Sequence, residues 1–132
     1  MIQLSVSQYD QIPDITHSRF LDVELECRGV RIPVKKYYTD VLREIITHLP
    51  NHKFNHIRQI IPSIEQGENG GSSKIVNKLG TKLSWIGYSA KECLMRIMKI
   101  IDLIDRNDAL KIFMKIRLQD DETLFIVNNN NN

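Results

Sequence analysis

The chain has 132 residues, 42% of them apolar and 26% charged, with 18 basic against 16 acidic residues and a net charge of +2. That length makes one domain and hides about two-thirds of its unfolded surface, so neither disulfides nor a structural metal is needed to hold it. The small charge excess excludes a general polyanion binder and leaves only local clustering as a route to nucleic-acid binding.

Met1 to Val6 lacks the basic start and apolar stretch of a signal peptide. The longest apolar stretch, Cys93 to Ile104, is broken by Arg96, Lys99 and Asp102. It falls short of the ~20 apolar residues that a bilayer requires. A cytoplasmic protein with no membrane partner is expected, with Cys27 and Cys93 as small buried residues in a reducing compartment.

Ile2, Leu4 and Val6 alternate with polar residues and predict a short strand, followed by a connection over Gln11 to Ser18. Leu21, Val23, Leu25 and Cys27 alternate with Asp22, Glu24, Glu26 and Arg28; beyond Gly29, Val30, Ile32 and Val34 alternate with Arg31, Pro33 and Lys35. A turn at Arg28-Gly29 pairs Cys27 with Val30, Glu26 with Arg31, Leu25 with Ile32 and Asp22 with Lys35. That register makes one face apolar and sets opposite charges across the other. Pro33 cannot donate to a ladder, which makes the second strand an edge.

Thr39 is placed to cap a helix to about Leu49 that buries Val41, Leu42, Ile45, Ile46 and Leu49, with Pro50 ending it. Asn51 is placed to cap a shorter helix whose Phe54, Ile57 and Ile61 share a face, stopped by Pro62. Gln66 to Ser73 is glycine-rich and predicts a mobile loop. A strand is predicted over Leu79 to Tyr88, with Leu83 and Trp85 on one side. An amphipathic helix follows, from about Ser89 to Arg106, with Ala90, Leu94, Ile97, Ile101 and Ile104 on its main face. Lys111 to Leu118 and Thr123 to Val127 form a second hairpin, turned through Asp120, Asp121 and Glu122. Residues 1–127 are expected to form one domain, with Asn128 to Asn132 as a disordered asparagine tail. The order lacks regular βαβ alternation, so the expected class is α+β: a mostly antiparallel sheet of hairpins with about three helices on one face.

No complete catalytic motif is present. His48, His52 and His56 recur every four residues, but Pro50 interrupts them and no cysteine or carboxylate nearby completes a tetrahedral set. The loop Gly67 to Lys74 lacks the glycine-lysine-serine/threonine ending of a phosphate loop. No acidic residue has lysine two positions on, neither cysteine has the helix-start or basic setting of a nucleophile, and no serine has an elbow motif. No metal, cofactor or enzymatic activity is expected.

Basic residues interleaved with aromatics are the stronger lead. Lys35-Lys36-Tyr37-Tyr38 joins a strand to a helix. Lys74, Lys78 and Lys82 lead into Trp85 and Tyr88, with Lys91 at the next helix start. Lys111, Lys115 and Arg117 share a strand face with Phe113. Lysines neutralise phosphates and aromatic rings stack on bases, while Ser89 and the first helical N–H groups could add a phosphate contact. The ordinary solvated face is the competing reading of each cluster.

Gly80-Thr81-Lys82-Leu83-Ser84-Trp85-Ile86-Gly87-Tyr88, followed by a helix, resembles a stretch in the DNA-binding domain of the replication-sequestration protein family of enteric bacteria. The likeness rests on Gly80, Thr81 and the approximate position of Trp85, and it implies a DNA-associated role. The family's asparagine-rich reading loop is replaced here by Ile86-Gly87-Tyr88-Ser89, so its methylation-specific reading does not carry over.

The leading expectation is a non-enzymatic nucleic-acid-binding domain, with Lys74, Lys78, Lys82, Lys91 and Tyr88 as contacts. The rival is a protein-interaction module, as an inhibitor, adaptor or homo-oligomer subunit. Its cue is the long helix, whose Met95 and Leu103 fall beside Lys99 in the otherwise polar sector.

Overall fold

A computed structural model describes residues 1–61, 75–85, 88–105 and 109–128, with positions 58, 75, 81, 82 and 84 described by backbone alone. Its strands are β1 (Ile2–Ser5), β2 (Arg19–Cys27), β3 (Val30–Ile32), β4 (Ile75–Lys78), β5 (Thr81–Ser84), β6 (Leu110–Arg117) and β7 (Thr123–Val127). Its α-helices are α1 (Tyr38–His48) and α2 (Ala90–Lys99). Two 3-10 helices (Val6–Gln11 and Asn51–Gln59) and a π-helical turn (Ile100–Asp105) complete it. The fold is α+β.

The main sheet runs β1-β7-β6-β2-β3 and is antiparallel except where β1 joins β7 in parallel. The first hairpin has the anticipated register, with Leu25, Glu26 and Cys27 opposite Ile32, Arg31 and Val30. Arg28 and Gly29 both take positive φ, 52° and 83°, the geometry of a turn whose twist matches its strands. β3 is a sheet edge, as Pro33 required, but it ends at Ile32, so the expected Asp22–Lys35 pair lies beyond the ladder. The second hairpin also forms where the alternation placed it.

Leu110, Ile112, Met114 and Ile116 of β6, Leu124 and Ile126 of β7, and Leu25 and Cys27 of β2 are buried on one side of this sheet. They meet Val41, Leu42, Ile45 and Ile46 of α1 and Cys93, Leu94, Ile97 and Met98 of α2. Both cysteines are buried and neither is in a disulfide. The other side of the sheet carries the alternate residues and lies open.

The expected single strand over Leu79 to Tyr88 is instead the β4–β5 hairpin. Leu79 and Gly80 are its turn, with φ of 54° and 76°, and Leu79 is exposed. The pairing partner, Ile75 to Lys78, lies just after the glycine-rich stretch and has no clear alternation. Leu83 and Trp85 are buried, as their spacing suggested.

Neither expected cap acts as one. α1 starts after Tyr37 and the Asn51–Gln59 helix after Pro50, both without a side-chain cap bond. The latter winds as a 3-10 helix; its Phe54 and Ile57 are buried as expected, with Ile60 and Ile61 just beyond its end. The long helix is α-helical only to Lys99 and then widens into the π turn. Ala90 is exposed and Met98 buried, so the buried stripe differs from the expected one by these residues. Asn128, the first residue of the expected tail, is anchored. Its side-chain amide accepts from Ile112 N–H and donates to the Leu110 carbonyl, extending the ladder by one side chain. The predicted loop at 66–73 and the asparagines 129–132 lie outside the described residues.

Candidate nucleic-acid interface

On the open side of the sheet the register sets out a grid. Glu26 faces both Lys111 and Arg31, Glu24 faces Phe113, and Asp22 faces Lys115. One strand further, Phe113 faces Val127, Lys115 faces Phe125, and Arg117 faces Thr123. The rings of Phe113 and Phe125 lie 6.0 Å apart and tilted by 35°. The Lys115 ammonium sits 6.0 Å from the Phe125 ring centre. Both rings are only partly buried. The centre of the open face is therefore an aromatic pair beside a cation.

One end of the grid is shaped by a β-bulge. The β2–β6 register jumps between Phe20 and Asp22, leaving Leu21 as the extra residue. Unbroken alternation would turn Phe20 outward and Arg19 toward the core. With the bulge, Phe20 lies opposite Ile116 and packs on Tyr38, with ring centres 4.9 Å apart. Arg19 then stands directly opposite Arg117, and both are exposed. Like charges directly opposite each other destabilise a sheet by a few tenths of a kcal/mol. The fold thus holds an unfavourable cationic pair next to Lys115 and the phenylalanines.

Two members of the acidic row are engaged locally. Arg31 reaches Glu24 at 3.6 Å, diagonally across the hairpin rather than to the directly opposed Glu26. The Asp22 carboxylate accepts from the Val23 N–H. Arg19 and Arg117 have each other across the ladder.

The sequence-predicted contacts fare differently. Lys78 donates to the Thr47 and Leu49 carbonyls at 2.9 and 2.6 Å, closing the C-terminal end of α1. Its ammonium also lies 5.9 Å from the Phe54 ring centre, and burial lowers its pKa. Lys82 sits opposite Asn77, in the rung next to the Lys78–Thr81 rung, so the four-residue spacing does not align the two lysines. Lys74 lies outside the described residues. The Tyr88 ring is covered by the Arg96 guanidinium, 4.6 Å from its centre. Lys91 is exposed and lines a separate hollow with Asp14, His17, Ser18, Tyr38 and Ser89.

The first turn of α2 is already occupied. Ser89 Oγ accepts from Glu92 N–H, and the Glu92 carboxylate accepts from Ser89 N–H. The Ser89 N–H bond holds the Glu92 pKa below its ordinary value. Trp85, which carries the family likeness, is 1% exposed and belongs to the core.

Of the residues expected to meet a protein, Lys99 and Leu103 line one groove with His52, Lys53, His56 and Ile104. Met95 packs against the core instead. His48 is turned away, its Nδ1 on the Glu44 carbonyl at 2.9 Å. Among the described residues, no group of three or more His, Cys, Asp or Glu could hold a metal ion, and no helix is long and apolar enough to cross a membrane.

The expected contacts missed Arg19 and Phe125. The signal for Arg19 was the apolar doublet Phe20-Leu21, which breaks alternation where a bulge belongs. Phe125 required the cross-strand pairing itself.

The fold and this face define an α+β domain with an open, aromatic and cationic sheet surface. Comparison with protein-family models, curated proteins and solved structures finds no match.

Proposed function

We propose that this protein is a non-enzymatic domain that binds single-stranded nucleic acid on the open face of its main sheet. The observation that carries the reading is the bulge-enforced Arg19–Arg117 rung beside Lys115 and the Phe113–Phe125 pair. A phosphate between two arginines removes their repulsion, and bases stack on Phe125, next to Thr123 along the outer face of β7, and on Phe113 beside it. The acidic row on β2 limits the cationic path to one end of the face, which suits a short strand rather than a duplex surface. Two buried cysteines outside any disulfide suit a reducing cytoplasm.

The test is fluorescence anisotropy with a short labelled oligothymidylate and its RNA equivalent. Binding should be strongest at low salt. With about three phosphate contacts, log Kd should change with log salt by a slope of about 2. Absence of binding at low salt overturns the proposal. Preference for duplex DNA would move the site away from the aromatic pair and toward the DNA-associated role suggested by the 80–88 likeness.

A further inference from the structure

We infer that the groove between the Asn51–Gln59 helix and the π-helical turn is a docking site for an acidic, amphipathic protein segment. This site is separate from the open sheet face. Its walls are tied together at one point: Lys53 Nζ donates to the Asp105 carbonyl at 3.1 Å and lies 3.9 Å from the Asp105 carboxylate. Asp105 is fully buried and also accepts from the Ala109 and Leu110 N–H groups, which fixes the end of the π turn to the start of β6. The groove, about 590 Å³, is therefore built on a braced frame.

Its chemistry is one-sided. His52, Lys53, His56 and Lys99 supply the ionisable groups of the lining, and no described lining residue is acidic. Buried Ile60 and Ile104 form an apolar floor, while Leu103 stands 46% exposed at the edge. Lys99 is held at the rim by the Tyr9 ring, 5.2 Å from its centre. π-helical turns are rare and concentrate at functional sites. This one carries Leu103 and Ile104 into the groove. With Lys53 held by Asp105, the Lys99 ammonium and the His52 and His56 rings at the rim of the apolar floor complement a segment whose apolar side chain is flanked by Asp or Glu, the pattern of an amphipathic helix laid in a groove.

The experiment is selection from a random peptide display library on the intact chain, followed by titration of the enriched peptides. Enriched sequences should combine Asp or Glu with Leu, Ile or Phe. Their affinity should fall about tenfold or more in Leu103→Asp and in Lys99→Glu, as for anchor residues at an interface. Leu103 is exposed, so Leu103→Asp should melt like the parent, which separates lost docking from lost folding. Oligothymidylate binding should be unchanged in Leu103→Asp, which keeps this test distinct from that of the sheet face. Three results overturn the inference: no enrichment, enrichment of neutral or basic peptides, or binding indifferent to both substitutions. Sedimentation showing a dimer that Leu103→Asp dissociates would also overturn it, in favour of a second copy of the chain in the groove.

Discussion

Two regions of this molecule are rich in charge and aromatic rings, and they use them in opposite ways. Over residues 75–105 four charged groups are spent on the fold itself: Lys78 closes the end of α1, Glu92 caps α2, Arg96 covers Tyr88, and Asp105 joins the π turn to β6. On the outer side of β2, β6 and β7 the charges lie across strands in water, and Arg19 and Arg117 oppose each other. Regular spacing in sequence therefore does not mark a binding surface. A group already satisfied within the fold has little left for a ligand, whereas a pair that folding would not favour points outward to one.

Substitutions in the two regions should separate stability from binding. The largest effect is expected at Asp105→Ala. It removes the carboxyl that accepts the Ala109 and Leu110 N–H groups and leaves Lys53 without it, at a cost of about 3–5 kcal/mol in chemical denaturation. A loss under ~1 kcal/mol would mean that the 75–105 region is less dependent on its charges than the geometry implies.

Next comes the aromatic pair. Phe113→Leu with Phe125→Leu keeps apolar volume but removes both stacking rings. Oligothymidylate affinity should drop by ~1–3 kcal/mol, read by anisotropy, with little change in melting temperature. Unchanged affinity would strip the outer face of its aromatic role.

Arg19→Glu sharpens the contrast most directly. It replaces repulsion across the rung with attraction, so stability should hold or rise by a few tenths of a kcal/mol while oligonucleotide binding weakens. Lys78→Met should do the reverse, costing about 1 kcal/mol of stability and leaving binding unchanged. If Lys78→Met impaired binding as much as Arg19→Glu, the division between the regions would fail.

The smallest effect concerns acid. The Ser89 N–H bond lowers the Glu92 pKa in the folded state, so its contribution is present above the ordinary carboxylate range and is lost as pH falls through the folded value. Glu92→Gln should therefore flatten the loss of stability on acidification, measured by thermal melts across the acidic range. An unaltered acid profile would argue against the capping box as its source.

Much of the local structure was legible in the residues. The Arg28-Gly29 turn and the alternation around it specified the register and the burial of Leu25, Cys27 and Ile32, because period-two patterning and turn chemistry are properties of adjacent residues, although Val30 opposite Cys27 stands exposed at the edge. The apolar face of α1 followed from its spacing for the same reason. The β4–β5 hairpin was not legible: Leu79 reads as a strand residue, and only Gly80 hints that it is a turn. The π turn was hidden too, because its apolar spacing also fits a continued α-helix.

What the sequence by itself determined was the α+β class, two hairpins and the apolar faces of the helices. Only the tertiary structure decided that β6 lies between β7 and β2, that a bulge turns Arg19 outward to Arg117, and that Lys78 spends its donors on α1. These depend on pairings between residues far apart in the chain, on which local patterning places almost no constraint. The candidate surface is made of such pairings, and for that reason local spacing pointed to the 74–91 lysines while the proposed surface lies on the outer face of β6 and β7.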